Sequence, residues 1–145
     1  METLRVRGRF HTGHRQRQHD GKCRFLHGHT WHGECEVSCA RFPRDELDMS
    51  IDFGALKAIF KDLDHRFLVT DADTDLLDPA RFEPEGIVRL PGRGPSVENV
   101  AWYCLERIVA VIAGKYPDRG LTYHLRVTIA ETDNNTFIVE ETRTI

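Results

Sequence analysis

The segment HTWHGECEVSCA (residues 29–40) alternates apolar and polar side chains, and this alternation is the clearest indication of the fold. The apolar members share one parity and the polar members the other: Trp31, Cys35, Val37 and Cys39 against Glu34, Glu36 and Ser38. A period of two is typical of a β-strand with one buried face. The segment therefore predicts a strand that packs on a core.

Three further segments predict strands. Residues 2–14 alternate loosely and can pair antiparallel with 29–40 across the intervening loop. LTYHLRVTIAE (121–131) alternates strictly, and TFIVEETRTI (136–145) follows it through the turn residues at 133–135. The chain therefore has a strand pair near each end.

Two helices lie between these pairs. Asp52 is a suitable N-cap for FGALKAIFKDL (53–63), and Ser96 is one for the apolar stripe at 97–112. Residues 69–94 are rich in Asp, Pro, Gly and Arg, and predict a long insert loop with at most short structure.

The predicted order is ββααββ in a single domain of residues 1–145, which is an α+β fold. An antiparallel four-stranded sheet with two helices on one face would bury every apolar stripe. The outer edges of its two edge strands would remain unpaired, and pairing with further copies of the same sheet would cover these edges.

The composition is that of a globular protein, with 40% hydrophobic and 30% charged residues. The formal net charge of −3 predicts neither a nucleic-acid partner nor a general basic surface. No apolar run approaches the roughly 18–20 residues that cross a bilayer, and METLRVRGRF lacks a signal-peptide core. We therefore expect a cytoplasmic protein without a membrane partner.

Six of the eight histidines lie in the first quarter of the chain. His27 and His29 are two residues apart, so both imidazoles point to one face of a strand, and His14 could project onto the same face. Three imidazoles with an open fourth position fit a catalytic zinc site. Histidine pairs also occur on solvated strands, so the spacing alone leaves both interpretations open.

Acidic residues supply further candidates. Asp64 could orient His65 as an acid or base, or be a chance neighbour at a helix end. Glu131 continues the inward parity of Ile129, so it could accept from paired N–H donors of a ligand, or reach water. Glu98 could complement a helix dipole.

Six motifs occur in an order that resembles a known family. They are F-x-x-x-H at 10–14, C-x-x-x-H-G-H at 23–29, I-D-F-x-x-L-K at 51–57, L-D-H at 63–65, P-S-x-E-N at 95–99 and E-T-D-N-N at 131–135. Together they are similar to the 6-pyruvoyltetrahydropterin synthase family, which includes the bacterial 6-carboxytetrahydropterin synthases. The resemblance covers nearly the whole chain except about residues 69–94.

This resemblance implies a tunnelling fold (T-fold), whose subunits assemble into a barrel, typically a homohexamer of two trimers. It implies Zn²⁺ on His14, His27 and His29. The implied substrate is 7,8-dihydroneopterin triphosphate. The implied products are 6-carboxy-5,6,7,8-tetrahydropterin, acetaldehyde and triphosphate, in the biosynthesis of 7-deazapurines such as queuosine.

The resemblance also implies residue roles. Cys23 would act as the catalytic base, and Asp64 with His65 would complete a relay that in the family comes from a neighbouring subunit. The implied substrate-binding residues are Glu131, Ser96 and Glu98.

Two alternatives remain open. The Cys-x3-His spacing resembles the carboxy-forming enzymes, whereas E-T-D-N-N at 131–135 resembles the animal pyruvoyl enzymes. A pyruvoyl-type synthase is therefore one alternative, and a catalytically silent zinc- or pterin-binding homologue is another. F-H-T-G-H departs from the family's F-x-A-A/S-H by adding His11. The histidines outside the ligand motifs are expected to be structural or solvent-facing: His11, His19, His32 and His124.

Overall fold

The computed structural model describes residues 1–145 as one six-stranded sheet with two α-helices. The elements are β1 (Glu2–His14), β2 (His27–Cys39), α1 (Phe53–Lys61), β3 (Arg66–Val69), β4 (Ile87–Arg89), α2 (Val97–Lys115), β5 (Thr122–Thr132) and β6 (Asn135–Thr144). Their order across the sheet is β4-β3-β1-β2-β5-β6. The predicted α+β class and the four long antiparallel strands are confirmed.

The prediction of a purely antiparallel four-stranded sheet needs a correction. β3 pairs parallel with β1 through Thr12–Arg66 and Gly13–Phe67, and β4 pairs parallel with β3. These strands contain only four and three residues, which is too short for an alternating pattern to stand out from a loop. The insert therefore contributes one edge of a mixed sheet.

The register of β1 and β2 positions the functional site. The two strands lie antiparallel from the pair Glu2–Cys39 to the pair His14–His27. Because His14 is directly opposite His27, two imidazoles lie side by side where the strand pair ends. β5 is antiparallel to the other side of β2 and reaches the same region at Ala130.

The hydrophobic core fills the space between the sheet and the helices. Phe10 stacks on Trp31 and on Phe60, with ring centroids 5.9 and 6.2 Å apart. A Cβ atom added at Gly8 or Gly33 would overlap the Phe60 side chain. These two glycines therefore let α1 approach the sheet closely.

Both helices begin where the sequence predicts. Asp52 accepts a hydrogen bond from the N–H of Gly54 at 2.8 Å, and Ser96 accepts one from Asn99 at 3.3 Å. α1 ends at Lys61, before the predicted residue 63. Neither helix combines the length and the apolar run needed to cross a membrane.

Candidate metal centre

Three histidines meet where β1 ends and β2 begins. One ring nitrogen from each of His14, His27 and His29 lies within 4.8 Å of the others. The ring centroids of His14 and His27 are 4.7 Å apart, and those of His27 and His29 are 4.9 Å apart. Strand alternation brings His27 and His29 together, and the register adds His14. This group could hold a metal ion.

Backbone carbonyls fix the tautomers of two of these rings. Nδ1 of His14 donates to the carbonyl oxygen of Pro95 at 2.7 Å, and Nδ1 of His27 donates to that of Phe25 at 2.6 Å. A carbonyl oxygen only accepts, so each Nδ1 carries the proton and each Nε2 presents a lone pair. Metal-binding histidines are commonly oriented in this way.

The electrostatics also favour neutral imidazoles. Burial lowers the pKa of His14 to about 4, against the raising effect of the Pro95 carbonyl, because the charged ring would lose its hydration. Burial is also the main cause of the lowered pKa of His29. Neutral imidazole is the form that binds a metal ion.

One buried nitrogen of the cluster has no hydrogen-bond partner within the protein. His14 is only 2% exposed, and its Nε2 is unpaired. Burying such a nitrogen is costly unless a hydrogen-bond donor or an ion satisfies its lone pair. The tautomers, the neutral rings and this unpaired nitrogen all fit a bound metal ion.

Glu131 reaches the same cluster. Its Oε1 lies 3.3 Å from Nε2 of His14 and 3.9 Å from Nε2 of His29. The pairing of β5 with β6 is irregular between Ala130 and Thr132, so Glu131 is the extra residue of a bulge. Bulges re-aim side chains. The geometry agrees with the inward direction predicted for Glu131.

Asp64 and His65 form a hydrogen-bonded pair. Oδ2 of Asp64 accepts from Nδ1 of His65 at 2.8 Å, and Oδ1 accepts from the backbone N–H of His11 at 2.6 Å. The hydrogen bond from the His11 N–H is the main cause of the lowered pKa of Asp64, and the hydrogen bond from His65 lowers this pKa further. The Asp64 carboxyl group is therefore kept ionised. His65 has a φ of 58°, and its N–H donates to the His11 carbonyl at 2.7 Å. Asp64 and His11 therefore fix the orientation of His65.

This pair lies on the opposite face of β1 from the His14 side chain, although one shallow groove touches both His65 and two residues of the cluster, His27 and His29. Alternation along β1 places the exposed His11 side chain on the face without helices and the buried His14 on the helix side. His11 and His65 border a shallow groove of about 600 Å³ whose walls are residues 26–30 and 65–67. No hydrogen bond joins the Asp64–His65 pair to the cluster within the chain.

The other predicted site residues are accessible or serve as caps. Cys23 is exposed in a 3-10 turn at Lys22–Arg24, and its carbonyl accepts from the N–H of Gln16 at 2.8 Å. Ser96 caps α2 immediately after Pro95, and Glu98 is exposed in the first turn of that helix.

Sequence reasoning gave no role to the residues that support the segments beside the cluster. Asn99 donates to the carbonyl of Gly94 at 2.7 Å and so fixes the loop that presents the Pro95 carbonyl to the cluster. Arg15 donates to the carboxylate of Asp73 at 2.6 and 2.7 Å. A backbone acceptor has no sequence signature, and the charged partners are far apart in the chain.

The curled sheet, its helices and the histidine cluster together define a T-fold protein with a candidate metal centre. The family model described as 6-pyruvoyl tetrahydropterin synthase matches residues 3–142. The chain belongs to the 6-pyruvoyl tetrahydropterin synthase family.

Curated relatives agree with this assignment. A protein of Halobacterium salinarum named a probable 6-carboxy-5,6,7,8-tetrahydropterin synthase is 36% identical over 68% of this chain and 63% of its own length. A 6-carboxy-5,6,7,8-tetrahydropterin synthase of Rickettsia bellii is 30% identical over 68% of this chain and 74% of its own length. The chain thus spans less than two thirds of the Halobacterium relative.

Solved structures share the fold. A variant of the Plasmodium vivax 6-pyruvoyltetrahydropterin synthase has a TM-score of 0.67 at 21% identity, over 99% of this chain and 98% of that one. The Caenorhabditis elegans 6-pyruvoyl tetrahydropterin synthase has a TM-score of 0.56 at 23% identity, over 97% and 95%.

Proposed function

We propose that this protein is a zinc-dependent lyase that converts 7,8-dihydroneopterin triphosphate to 6-carboxy-5,6,7,8-tetrahydropterin, with release of acetaldehyde and triphosphate. The observation that carries the proposal is the cluster of three imidazoles, two of which present an unprotonated Nε2. The names of relatives at 30–36% identity support the carboxy-forming reaction.

His14, His27 and His29 would hold the zinc ion. When bound, zinc would supply Lewis-acid chemistry that makes a C–H bond beside the substrate's side-chain hydroxyl groups more acidic. The carbonyls of Pro95 and Phe25 keep two of the rings in the orientation needed for binding.

Cys23 is the proposed base. Its thiol is exposed on the connection between β1 and β2, the strands that carry the three imidazoles, so a substrate at the cluster could approach it. A thiolate would remove the proton from the side-chain carbon of the pterin.

Asp64 and His65 are the proposed proton relay. The carboxylate of Asp64 accepts a hydrogen bond from the Nδ1–H of His65, which leaves Nε2 to exchange protons with the substrate. Because this pair is on the opposite face of β1 from His14, a second copy of the chain would supply it to the cluster. A homohexamer of two trimers, with its open strand edges paired, is the assembly we propose.

Glu131 would accept hydrogen bonds from the N–H edge of the pterin ring, and Ser96 and Glu98 would border the ring at the start of α2. We place the reaction in 7-deazapurine biosynthesis, such as that of queuosine, and in the cytoplasm. No nucleic-acid or membrane partner belongs to the proposal.

A product assay tests the reaction. Zinc-loaded protein is incubated with 7,8-dihydroneopterin triphosphate, and acetaldehyde and the pterin products are measured by mass spectrometry. We expect acetaldehyde and the 6-carboxy product in equal amounts. Triphosphate release without acetaldehyde would identify the 6-pyruvoyltetrahydropterin synthase reaction, an activity named for structural relatives at 18–21% identity. Absence of turnover would indicate a silent binding protein.

A further inference from the structure

Glu131 lies at a bulge in β5, beside the histidine cluster. Regular pairing would continue from Ala130–Thr136, but it resumes at Thr132–Asn135, which leaves Glu131 without a partner on β6. The carboxylate is directed at the histidine cluster, where Oε1 lies 3.3 Å from Nε2 of His14. Only 22% of the side chain is exposed.

Two hydrogen-bond acceptors face each other at this contact. Nδ1 of His14 donates its proton to the Pro95 carbonyl, so Nε2 of the neutral ring has only a lone pair. An ionised carboxylate also has only acceptors. Two acceptors repel each other at this distance unless a cation or a proton lies between them.

The distance also suits a shared metal ion. Zinc bonds to nitrogen and oxygen of about 2.0–2.1 Å place neighbouring ligand atoms of a tetrahedron about 3.3–3.4 Å apart. The separation of Glu131 Oε1 from His14 Nε2 is 3.3 Å, and its separation from His29 Nε2 is 3.9 Å. The carboxylate is therefore close enough to share a metal ion with His14 and His29.

We propose that Glu131 is the fourth ligand of the metal ion in the substrate-free protein, and that it moves to the N–H edge of the pterin ring when substrate binds. The ligand assignment rests on the cluster geometry, and the exchange rests on the proposed function. Binding of the ring then frees the fourth position for the substrate's side chain. The metal centre is closed by four protein ligands at rest and opens only when the correct ring occupies the pocket.

Cobalt(II) tests the ligand assignment without any catalytic assay, because its visible absorption reports coordination number and ligand type. The purified assembly is stripped of metal and titrated with Co²⁺ as wild type, Glu131→Gln and Asp133→Asn. Asp133 is the matched control because it is an exposed acid in the adjacent turn. We expect Glu131→Gln to weaken Co²⁺ binding at least about tenfold and to alter the spectrum, whereas Asp133→Asn leaves both unchanged. Wild-type affinity and spectrum in Glu131→Gln would overturn the assignment.

The exchange is tested with 7,8-dihydropterin, which has the ring but lacks the side chain whose hydroxyl groups could bind the metal themselves. Its addition should change the cobalt spectrum of the wild type and leave that of Glu131→Gln almost unchanged. An unaltered wild-type spectrum with bound pterin would overturn the exchange. Circular dichroism checks that the variants are folded. Glu131→Asp, which keeps the carboxylate but retracts it by one methylene, is a second variant that separates loss of the ligand from a folding defect. If the spectra change as expected but the triphosphate yields no product, the inference stands and the proposed reaction fails.

Discussion

Arg15 donates two hydrogen bonds to the carboxylate of Asp73, at 2.6 and 2.7 Å, and thereby ties the residue after His14 to the insert. Asp73 is only 5% exposed. We expect Asp73→Asn to lower the free energy of unfolding by about 2 kcal/mol, because charge-assisted bonds to a buried carboxylate are lost. Urea denaturation measures the change.

The matched control is Asp75→Asn. Asp75 also contacts Arg15 and Arg17, but its side chain is 50% exposed, so we expect a change within about 0.5 kcal/mol. Equal effects of the two substitutions would contradict the role given to burial.

The Arg15–Asp73 pair should also make the free energy of unfolding depend on pH. Its hydrogen bonds with Arg15 hold the pKa of Asp73 below its ordinary value of 3.8, so the unfolded chain binds this proton before the folded protein does. The stabilisation is complete above pH 3.8 and is lost as the pH falls through the lowered folded value. The difference between wild type and Asp73→Asn should therefore shrink in acid. A constant difference would argue against this ion pair.

Gly33 tests the close approach of α1 to the sheet. An added methyl group would overlap the Phe60 ring, so we expect Gly33→Ala to destabilise the protein by about 1–3 kcal/mol. Thermal and urea unfolding measure the effect. Gly114→Ala is the control: nothing lies within 4 Å of a Cβ there, and alanine in a helix should be neutral or stabilising.

His27→Ala should remove stoichiometric zinc, because the cluster loses one of the three imidazoles proposed to hold it. Metal content after gel filtration is the measurement. His32→Ala is the control, since His32 is exposed, lies opposite Arg9 in the β1–β2 register and is not part of the cluster. One zinc per chain in His27→Ala would refute the ligand set.

Cys23→Ala should lower kcat by about 10²–10⁴-fold, the usual contribution of a general base, while zinc content stays unchanged. Turnover of the triphosphate at saturating substrate measures it. Lys22→Ala, an exposed change in the same turn, should retain wild-type kcat. Unchanged turnover in Cys23→Ala with metal bound would show that another group removes the proton.

Mixing variants tests whether two chains share one site. Cys23→Ala and His65→Ala should each have low activity, but assemblies that contain both chains should recover part of it. The reason is that one wild-type Cys23 can face the intact Asp64–His65 pair of another copy. Activity assays after subunit exchange are the measurement, and mixtures no more active than their components would place both residues within one chain.

Much of the fold follows from sequence periodicity. The alternation at 29–40 and 121–131 predicts buried strands, and Asp52 and Ser96 mark the two helix starts. β3 and β4 were not predicted, because β3 is too short to show a local pattern and β4 pairs with β3 only when the insert folds back beside it.

The candidate site is predictable to a similar extent. Local spacing puts His27 and His29 on one face, and antiparallel register adds His14. The parity of Ile129 predicts the inward direction of Glu131, but the bulge beside it and its contact with His14 have no signature in the sequence. The contact of the Pro95 carbonyl with His14 could not be predicted from the sequence either, because every residue has a carbonyl group and its direction depends on the folded backbone.

Both ends of the long insert are attached to the last three residues of β1. Before the insert begins, β3 pairs with Thr12 and Gly13. Immediately after the insert ends, the Pro95 carbonyl accepts a hydrogen bond from His14. Evolution can therefore lengthen, shorten or rewrite the middle of this segment while the imidazole it supports stays in place. The same arrangement that orients a proposed metal ligand leaves the neighbouring surface free to diversify.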